Sequence, residues 1–480
     1  MKRTDDSPGA DAPFPMRSRH LPPPEVRALP ALPPKTWRII GPGIVGAGVG
    51  LASGEFILWP YIASQAGLVF LWGAVVGVIT QWFINMEIER YTLATGETAM
   101  AGFNRFWPHW GVVLALLTYA ANLWPGWATS SATMFSYVFG GDATVIAIVL
   151  LLLIGAILTL APVVYSALEG LIFVKVALIG GFFVLAVILA VNMDTWKELP
   201  EAATNVGQFP SDIGVAVLMG ALAYAGAGGG QNLCQSNWIR DKGFGMGHYV
   251  PRLVSPVTGK EEASGSTSGY VFVPDEENLA RWRRWWRFAN TEQALTFGVT
   301  TIVTIVMTSL LAHSTLFGTP GLTDDVGFVE VEGEVLKAEV GDWFGVLFWL
   351  IGGFALFSSA TGIVDYTSRL AADVLKSTYL RSSRHSESRL YFWLVWGLVG
   401  IGVLILSVGF DQPLVLLVIS ACVAGLMMFV YSGLLIMMNR KALPAPLKVR
   451  GFRVAALVWA IGLFGVLSVL TIRQQILEHF

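Results

Sequence analysis

Charged residues are scarce in this sequence, and cysteine and histidine are scarcer still. Asp, Glu, Lys and Arg make up 13% of the 480 residues, whereas they make up about a quarter of a soluble domain. Cys234 and Cys422 each lie inside an apolar stretch, which excludes a disulfide framework and a cysteine-rich metal site. None of the six histidines lies in the middle of such a stretch, which excludes an H-E-x-x-H zinc site and a mid-membrane histidine relay. We expect a protein that is not an enzyme and has neither a resident cofactor nor a nucleic-acid partner.

Long apolar stretches make up most of the sequence between the few charged residues. Hydrophobic residues make up 54% of the chain, and about 20 apolar residues in a row suffice to cross a bilayer. We predict eleven membrane spans, at 38–63, 67–89, 111–138, 143–162, 164–192, 212–238, 291–313, 342–370, 390–409, 412–437 and 453–476. The sequence thus predicts an all-α integral membrane protein with its transmembrane domain at 38–476. Residues 1–37 are rich in Pro and Arg without an apolar core, which predicts a disordered cytoplasmic tail.

The charges between the spans indicate how the chain is oriented. With a cytoplasmic N-terminus, Lys and Arg concentrate on the cytoplasmic side of nearly every connection, and Asp and Glu on the outer side, as the positive-inside rule requires. A missed or extra span would invert every later connection, so the pattern supports the odd count. We expect a multi-pass protein of the plasma membrane with an outer C-terminus and the lipid bilayer as its partner.

Two connections between the spans are long. The cytoplasmic connection 240–290 contains Ala280-Arg-Trp-Arg-Arg-Trp-Trp-Arg287, which is typical either of a helix lying at the membrane interface or of an ordinary basic flank. The outer connection 314–341 is acidic, and it is either a solvated connection or a weak attractor of cations at the mouth of a pathway.

Glycine-rich stretches predict a break in the first and in the sixth span. The first span begins Gly41-Pro-Gly43 and has Ser53-Gly54-Glu55 near its middle, and the sixth contains Tyr224-Ala-Gly-Ala-Gly-Gly-Gly-Gln-Asn232. Each glycine weakens a helix by about 1 kcal/mol, and unwound backbone at membrane depth occurs only where it lines a cavity or is buried in protein. The two spans are five apart, as in two five-helix inverted repeats followed by an eleventh helix. Close helix packing on glycine is the alternative explanation.

The polar residues at these breaks are the candidate substrate or metal ligands. They are Ser53, Gly54 and Glu55 in the first span and Gly229, Gln231 and Asn232 in the sixth. An ionisable residue inside the membrane is costly and is by default a functional candidate, so Glu55 is the main candidate. Its alternative role is to pair with a buried cation or to cap the second half-helix.

A second candidate set, for a coupling ion, lies in the eighth span. Its members are separated by helical steps, and they are Ser358, Ser359, Thr361 and Asp365. Their hydroxyl groups would complete an ion site with carbonyl oxygens of the broken first span, unless they bond back to their own helix. In the fifth span, Glu169 and Lys175 are interpreted as structural or gating residues.

Short motifs along the chain resemble those of the Nramp divalent-metal transporters. In chain order they are Gly41-Pro-Gly43, Gln65-Ala-Gly67 with Leu71-Trp72, Thr95-Gly96-Glu97, Asn232-Leu233 and Ser358-Ser359-Ala-Thr-Gly362. Ser53-Gly54-Glu55-Phe56 with Pro60 also resembles the glycine motif of amino-acid transporters in the wider APC superfamily. Both groups share the LeuT-like fold. The resemblance therefore implies that fold, with 5+5 inverted repeats and an eleventh helix, over most of residues 38–476.

The metal ligands of the Nramp family are replaced in this sequence. The family's Asp-Pro-Gly-Asn turn places its Asp at Ala52 and its Asn at Glu55, and its Met-Pro-His turn places its Met at Gly229 and its His at Gln231. The family's acidic pair in the third span, linked to proton movement, is replaced by Asn122-Leu-Trp-Pro-Gly-Trp127. The sulfur ligand and the family's proton pair are therefore both missing.

An oxygen-rich set of Glu55, Gln231 and Asn232 without sulfur suits a hard, partly hydrated divalent cation such as Mg²⁺ or Mn²⁺. The sequence therefore predicts an Nramp-related secondary transporter of such an ion. The first alternative is a Na⁺-coupled carrier of an amino acid or another small organic solute, whose carboxylate would bind the amides at Ser53-Gly54. The second alternative is a non-transporting membrane sensor that signals through the 240–290 connection.

Overall fold

The computed structural model of the protein describes residues 13–16, 18, 21–36, 40–51, 54–161, 163–202, 204–254, 257, 269–320, 322, 326–381, 383–409 and 413–479. The candidate ligand Ser53 and its neighbour Ala52 lie outside the described residues.

The helices of the described chain can be grouped into eleven spans, the number that the sequence predicts. Six are single helices, namely span 2 (Leu71–Thr95), span 4 (Ala143–Leu160), span 5 (Val164–Leu189), span 9 (Glu387–Ser407), span 10 (Pro413–Lys441) and span 11 (Phe452–His479). Two include a π-helical segment, namely span 7 (Gln293–Val299, Thr300–Leu316) and span 8 (Asp342–Val374, Leu375–Tyr379). The helix Glu276–Glu292 precedes span 7 without a break. Three are interrupted, namely span 1 (Pro42–Gly50, then Gly54–Leu58 and Trp59–Ala66), span 3 (Trp110–Asn122, Gly126–Phe139) and span 6 (Val215–Ala223, Gly230–Lys242).

Shorter helices connect some of the spans. They are Gly67–Phe70, Ala99–Asn104, Met193–Ala202, Gly245–Tyr249 and Phe328–Glu339. In the part of the chain that the structure describes, eight helical stretches are long and apolar enough to cross a membrane. The spans built from shorter pieces account for the rest of the predicted spans.

Span 1 is broken where the sequence predicts. Its first half-helix ends at Gly50, and the N–H of the next residue, Leu51, still donates to the carbonyl oxygen of Ala47 at 2.7 Å. Helix resumes at Gly54, first as a π-helical turn and then as α-helix from Trp59. Such turns are often found at functional sites, and this one contains Glu55.

Span 6 is broken in the corresponding place. Its first half-helix ends at Ala223 and its second begins at Gly230. Between them, Gly226 has a φ of 103° and Gly229 a φ of 58°. Glycine adopts this left-handed backbone without steric cost, so the glycine run allows the chain to unwind here.

A third break, which the sequence analysis does not predict, interrupts span 3. Residues 123–125 separate its two helices. Pro125 has no N–H to donate, and a proline disfavours helical backbone at the residue before it. The carbonyl oxygen of Pro125 accepts from the N–H of Ala128 and of Thr129 and so begins the second helix.

Span 8 is the central element of the bundle. It packs against spans 3, 5 and 9 and against the helix Phe328–Glu339, and every residue from Ala355 to Val374 is buried. Spans 5, 9 and 11 instead expose large apolar side chains, such as Ile188, Leu404 and Val469. An extended apolar surface of this kind is a membrane-contacting surface, so the chain is a multi-pass membrane protein.

Residues 21–36 of the N-terminal tail adopt defined structure, whereas the composition of the tail suggests disorder. Strand β1 (Glu25–Val26) pairs in parallel with strand β2 (Tyr270–Val271), and Leu29 is fully buried. Composition does not show these backbone pairings, which is why the sequence suggests disorder. We call the side of the molecule on which this segment lies the tail side.

The connection 240–290 is shorter than predicted, because helices enter it from both ends. Span 6 continues to Lys242, and the helix Glu276–Glu292 leads directly into span 7. Trp282 and Trp285 are buried in the protein. The interpretation as a helix that places its tryptophans in the membrane interface is therefore wrong for these two residues.

The acidic connection 314–341 is also partly helical. Its helix Phe328–Glu339 packs against span 8 and buries Phe328, Val329 and Glu332. It is therefore more than a solvated connection.

Candidate functional site

The two broken spans touch each other at their breaks. A Cβ atom at Gly50 would lie 1.3 Å from the carbonyl oxygen of Gly226, and one at Gly54 would lie 2.2 Å from the carbonyl oxygen of Tyr224. Only glycine fits at either position, so the backbones of spans 1 and 6 are in direct contact. The glycines of the two motifs thus have a packing role as well as a conformational one.

Gln231 and Asn232 lie at the start of the second half-helix of span 6, and both make contacts within the protein. Gln231 Nε2 donates to the carbonyl oxygen of Gly46 at 2.6 Å and so ties span 6 to span 1. Asn232 Nδ2 donates to Asn85 Oδ1 at 2.7 Å, and its Oδ1 accepts from the Tyr431 hydroxyl at 2.8 Å. Asn232 therefore links spans 2, 6 and 10, and Gln231 is the one of the two that faces span 1.

Glu55 lies fully buried in the π-helical turn of span 1. Its charge interacts with that of Lys175 on span 5, which is also fully buried. Burying either charge without the other would cost several kcal/mol. Of the two interpretations of Glu55, pairing with a buried cation thus has a structural basis, and the role of metal ligand stays a prediction.

Lys175 occupies the place that the sequence analysis assigns to a coupling ion. Its Nζ donates to the carbonyl oxygen of Gly48 at 2.6 Å and also to the hydroxyl of Ser359. The Ser359 hydroxyl lies 3.4 Å from the carbonyl oxygen of Gly48 and 3.5 Å from that of Leu51. A hydroxyl and two carbonyls at the end of a half-helix could bind a monovalent cation, but here an ammonium group bonds to the hydroxyl and to one of the carbonyls.

Two other candidates for the coupling ion, Ser358 and Thr361, bond back to span 8. Ser358 donates to the carbonyl oxygen of Ala355 at 3.0 Å, and Thr361 donates to that of Phe357, also at 3.0 Å. This is the alternative role that serine and threonine often have within helices. Of the three hydroxyl groups proposed for span 8, only Ser359 is directed at span 1.

Asp365 belongs to a buried charge network toward the tail side. Its Oδ1 lies 3.0 Å from Arg369 Nη2 and accepts from the Tyr391 hydroxyl at 2.8 Å. Arg369 also pairs with Asp241 of span 6. The network joins spans 6, 8 and 9, and we leave Asp365 out of the ion-coupling site because its carboxylate already has these partners.

Span 2 contributes polar residues that the sequence analysis misses. Gln81 Oε1 accepts from the N–H of Ala227 at 2.8 Å, and its Nε2 donates to the carbonyl oxygen of Ala223 at 3.0 Å. One side chain thus satisfies unwound backbone on both sides of the break in span 6. Gln81, Asn85 and Glu89 are spaced four residues apart, on one face of the helix. This spacing inside an apolar span is the signal that would have revealed them.

The contact between the breaks offers oxygen ligands and few charges. In the described residues, no group of three or more His, Cys, Asp or Glu side chains is placed to hold a metal ion. A cation here would bind to Glu55, to the side-chain oxygen of Gln231 and to backbone carbonyl oxygens of the breaks, and it would keep part of its water shell. Oxygen donors are the ligands that hard cations prefer.

Comparison with known proteins gives matches at the level of structure. No protein-family model matches the sequence, and no curated protein matches it. The structure of a manganese transporter of Eremococcus coleocola, in complex with an aromatic bis-isothiourea substituted compound, matches with a TM-score of 0.68 at 13% identity, over 96% of this chain and 91% of that one.

Two further solved structures match with lower scores. MhsT in complex with L-phenylalanine matches with a TM-score of 0.51 at 12% identity, over 89% of this chain and 98% of that one. Mhp1, a nucleobase-cation-symport-1 family transporter with bromovinylhydantoin bound, matches with a TM-score of 0.52 at 13% identity, over 98% of this chain and 94% of that one. At identities this low the matches establish the fold and not the family. The chain has the LeuT-like fold, a 5+5 inverted repeat with broken first and sixth helices and an eleventh helix.

Proposed function

We propose that this protein is a secondary transporter that carries a hard divalent cation, such as Mg²⁺ or Mn²⁺, across the membrane by alternating access. The observation that carries the proposal is a fully buried carboxylate, Glu55, in the broken part of span 1. In transporters with inverted repeats, substrates bind at such breaks near the middle of the bilayer. The fold is also that of a manganese transporter. The basic residues of the tail side favour a cytoplasmic N-terminus in the plasma membrane.

The charge of Glu55 anchors the ion in this proposal. Gln231 and backbone carbonyl oxygens of the two breaks complete the ligand set, and bound water fills the remaining positions, as Mg²⁺ sites commonly require. An arriving cation competes with Lys175 for the charge of Glu55. Lys175 keeps its bonds to Gly48 and Ser359, so the ammonium stays in place while the carboxylate turns to the substrate.

Uptake of Mg²⁺ and of Mn²⁺ into liposomes containing the purified protein tests this proposal. Glu55→Gln keeps the size of the side chain and removes its charge, so uptake should fall at least about tenfold, which corresponds to 1.4 kcal/mol. Glu332→Gln removes another buried carboxylate, on the outer helix Phe328–Glu339, and should leave uptake unchanged. Undiminished uptake by the Glu55 variant, or no uptake of either ion by the wild type, would contradict the proposal.

A small zwitterionic solute is the second candidate substrate, because Glu55 and Lys175 bring opposite charges to the site. An amino acid would bind Glu55 with its ammonium group and the start of the second half-helix with its carboxylate. Na⁺ coupling at Ser359 is disfavoured, since Lys175 holds that hydroxyl. Thermal stabilisation by an amino acid without Na⁺, and none by divalent cations, would favour this candidate. A ligand at one hundred times its Kd stabilises the folded state by about 2.7 kcal/mol.

A further inference from the structure

Two buried carboxylates, those of Glu89 and Glu292, lie within range of each other's charge, near the start of the first half-helix of span 1. Glu89 of span 2 is fully buried, and Glu292, in the helix that leads into span 7, is 4% exposed. Their charges interact, and spans 2 and 7 pack against each other in this region. The proposed transport site uses neither of them.

Glu292 caps the start of span 1. Its Oε1 accepts from the N–H of Gly43 at 3.0 Å and from that of Gly41 at 3.3 Å. The first half-helix of span 1 has no capping side chain of its own, and negative charge is favourable at the start of a helix. Any movement of this half-helix therefore changes the hydrogen bonds of Glu292.

Glu89 has no hydrogen-bond donor among the described residues. Both of its carboxylate oxygens are buried without a partner, as are Oε2 of Glu292 and both polar side-chain atoms of Gln293. An ionised carboxylate in such a place carries a large desolvation cost, which a buried group avoids by becoming neutral. The neighbouring charge of Glu292 adds like-charge repulsion to that cost.

The charged groups nearby do not offset this cost. Lys242, at the end of span 6, faces Glu292, but its Nζ is paired with Glu169 of span 5 at 2.6 Å. Tyr165 of span 5 carries no charge to compensate a carboxylate, and Asp241 is negative and paired with Arg369. The Glu89 carboxyl therefore lacks a protein cation among the described residues.

A proton is the cation that fits these two carboxyl groups. A Mg²⁺ or Ca²⁺ ion needs about six or more oxygen ligands, and the described residues supply no third acidic, histidine or cysteine ligand there. One proton on Glu89 makes its carboxyl a hydrogen-bond donor, and the free oxygen of Glu292 is an acceptor. Two adjacent carboxyls commonly hold one proton in this way, because they avoid being ionised together.

We propose that Glu89 and Glu292 form a proton-binding site in which the two carboxyls share one proton, and that the proton is released when the first half-helix of span 1 moves. The second part rests on the proposed transport function, and the binding of the proton does not. Gln81, Asn85 and Glu89 form a polar stripe along one face of span 2, from the break in span 6 to this site.

Infrared spectroscopy of the purified full-length protein tests the first part. It is carried out in a Glu332→Gln background, so that the buried carboxyl group of Glu332 contributes no band. At pH 7 we expect a carboxylic-acid C=O band that Glu89→Gln removes and Glu292→Gln shifts, because the second change alters the hydrogen-bond acceptor. Glu55→Gln should leave that band in place. A band unaffected by both changes, or no acid band in the parent protein, would overturn the proton-binding site.

A pH-sensitive dye inside the liposomes tests the second part. Divalent-cation uptake should be accompanied by proton movement in the wild type, and Glu89→Gln should take up the cation without it. Proton movement that persists in Glu89→Gln would overturn this part. A wild type with the expected infrared band and no cation uptake would refute the proposed function alone. Glu292→Gln provides the same test if Glu89→Gln does not fold, as judged by size-exclusion chromatography.

Discussion

At the scale of single residues, a fully buried lysine, Lys175, places a positive charge at the centre of the molecule. The Lys175 ammonium bonds to a carbonyl of span 1 and to a hydroxyl of span 8, and its charge offsets that of Glu55. An ammonium group at this position holds spans 1, 5 and 8 together, as a bound monovalent ion would. A bound Na⁺ is therefore not required for these three spans to pack.

Replacing Lys175 with Met removes this charge at similar side-chain volume. Glu55 then becomes an uncompensated buried anion, and loss of one partner of a buried ion pair costs about 3–5 kcal/mol. The midpoint of thermal unfolding in detergent should fall, and Na⁺ or Mg²⁺ should restore part of it. Lys197→Met removes an exposed lysine that pairs with Asp194 and should have little effect. Equal midpoints for Lys175→Met and Lys197→Met would show that Lys175 does not have this role.

At the scale of helices, the breaks can be predicted because their cause is local. Glycine and proline act on the backbone at and next to their own position, so the runs in spans 1 and 6 indicate their breaks, and Pro125 is an equally local signal. The contacts that a side chain makes with other spans, in contrast, depend on distant parts of the sequence. The sequence places Ser359 in span 8, but its contact with Lys175 depends on how spans 5 and 8 pack.

The helix Phe328–Glu339, which packs against span 8, provides a prediction at this scale. Burial raises the pKa of Glu332 from its ordinary value of 4.5 to about 8. Between these values the folded state binds more protons than the unfolded state, so the free energy of unfolding should decrease as pH rises from about 4.5 to about 8, by at most about 1.4 kcal/mol per pH unit. Glu332→Gln should remove this part of the slope, measured as the thermal midpoint from pH 5 to 9.

The matched control for Glu332 is Glu339→Gln, because Glu339 ends the same helix and is exposed. The thermal midpoint of the Glu339→Gln variant should depend on pH as that of the wild type does. A Glu332→Gln variant with the wild-type slope would mean that the carboxyl of Glu332 titrates normally in the folded protein.

At the scale of the whole molecule, the number of spans can be predicted because the bilayer fixes their length. The path of the N-terminal tail cannot be predicted in this way. Arg105, after span 2, donates to the carbonyl oxygen of Pro22, the Tyr249 hydroxyl donates to that of Ala28, and Trp285 donates to that of Pro30. These bonds join backbone atoms of the tail to side chains that follow spans 2 and 6 and precede span 7. Hydropathy and composition do not predict these hydrogen bonds.

These contacts attach the tail to segments that follow spans 2 and 6 and to the helix that precedes span 7. Asn278 is the partner whose loss should loosen it most selectively, because its Oδ1 accepts from the buried N–H of Leu29 at 2.9 Å. Asn278→Ala leaves that N–H unsatisfied at a cost of about 1–3 kcal/mol. Cleavage by trypsin after Arg27 should therefore speed up at least about fivefold, since proteolysis follows the population of the open form. Thr291→Ala, on the exposed face of the same helix, should cleave at the wild-type rate. If both variants cleave at that rate, the tail is held by its strand pairing with Tyr270–Val271 and not by the helix.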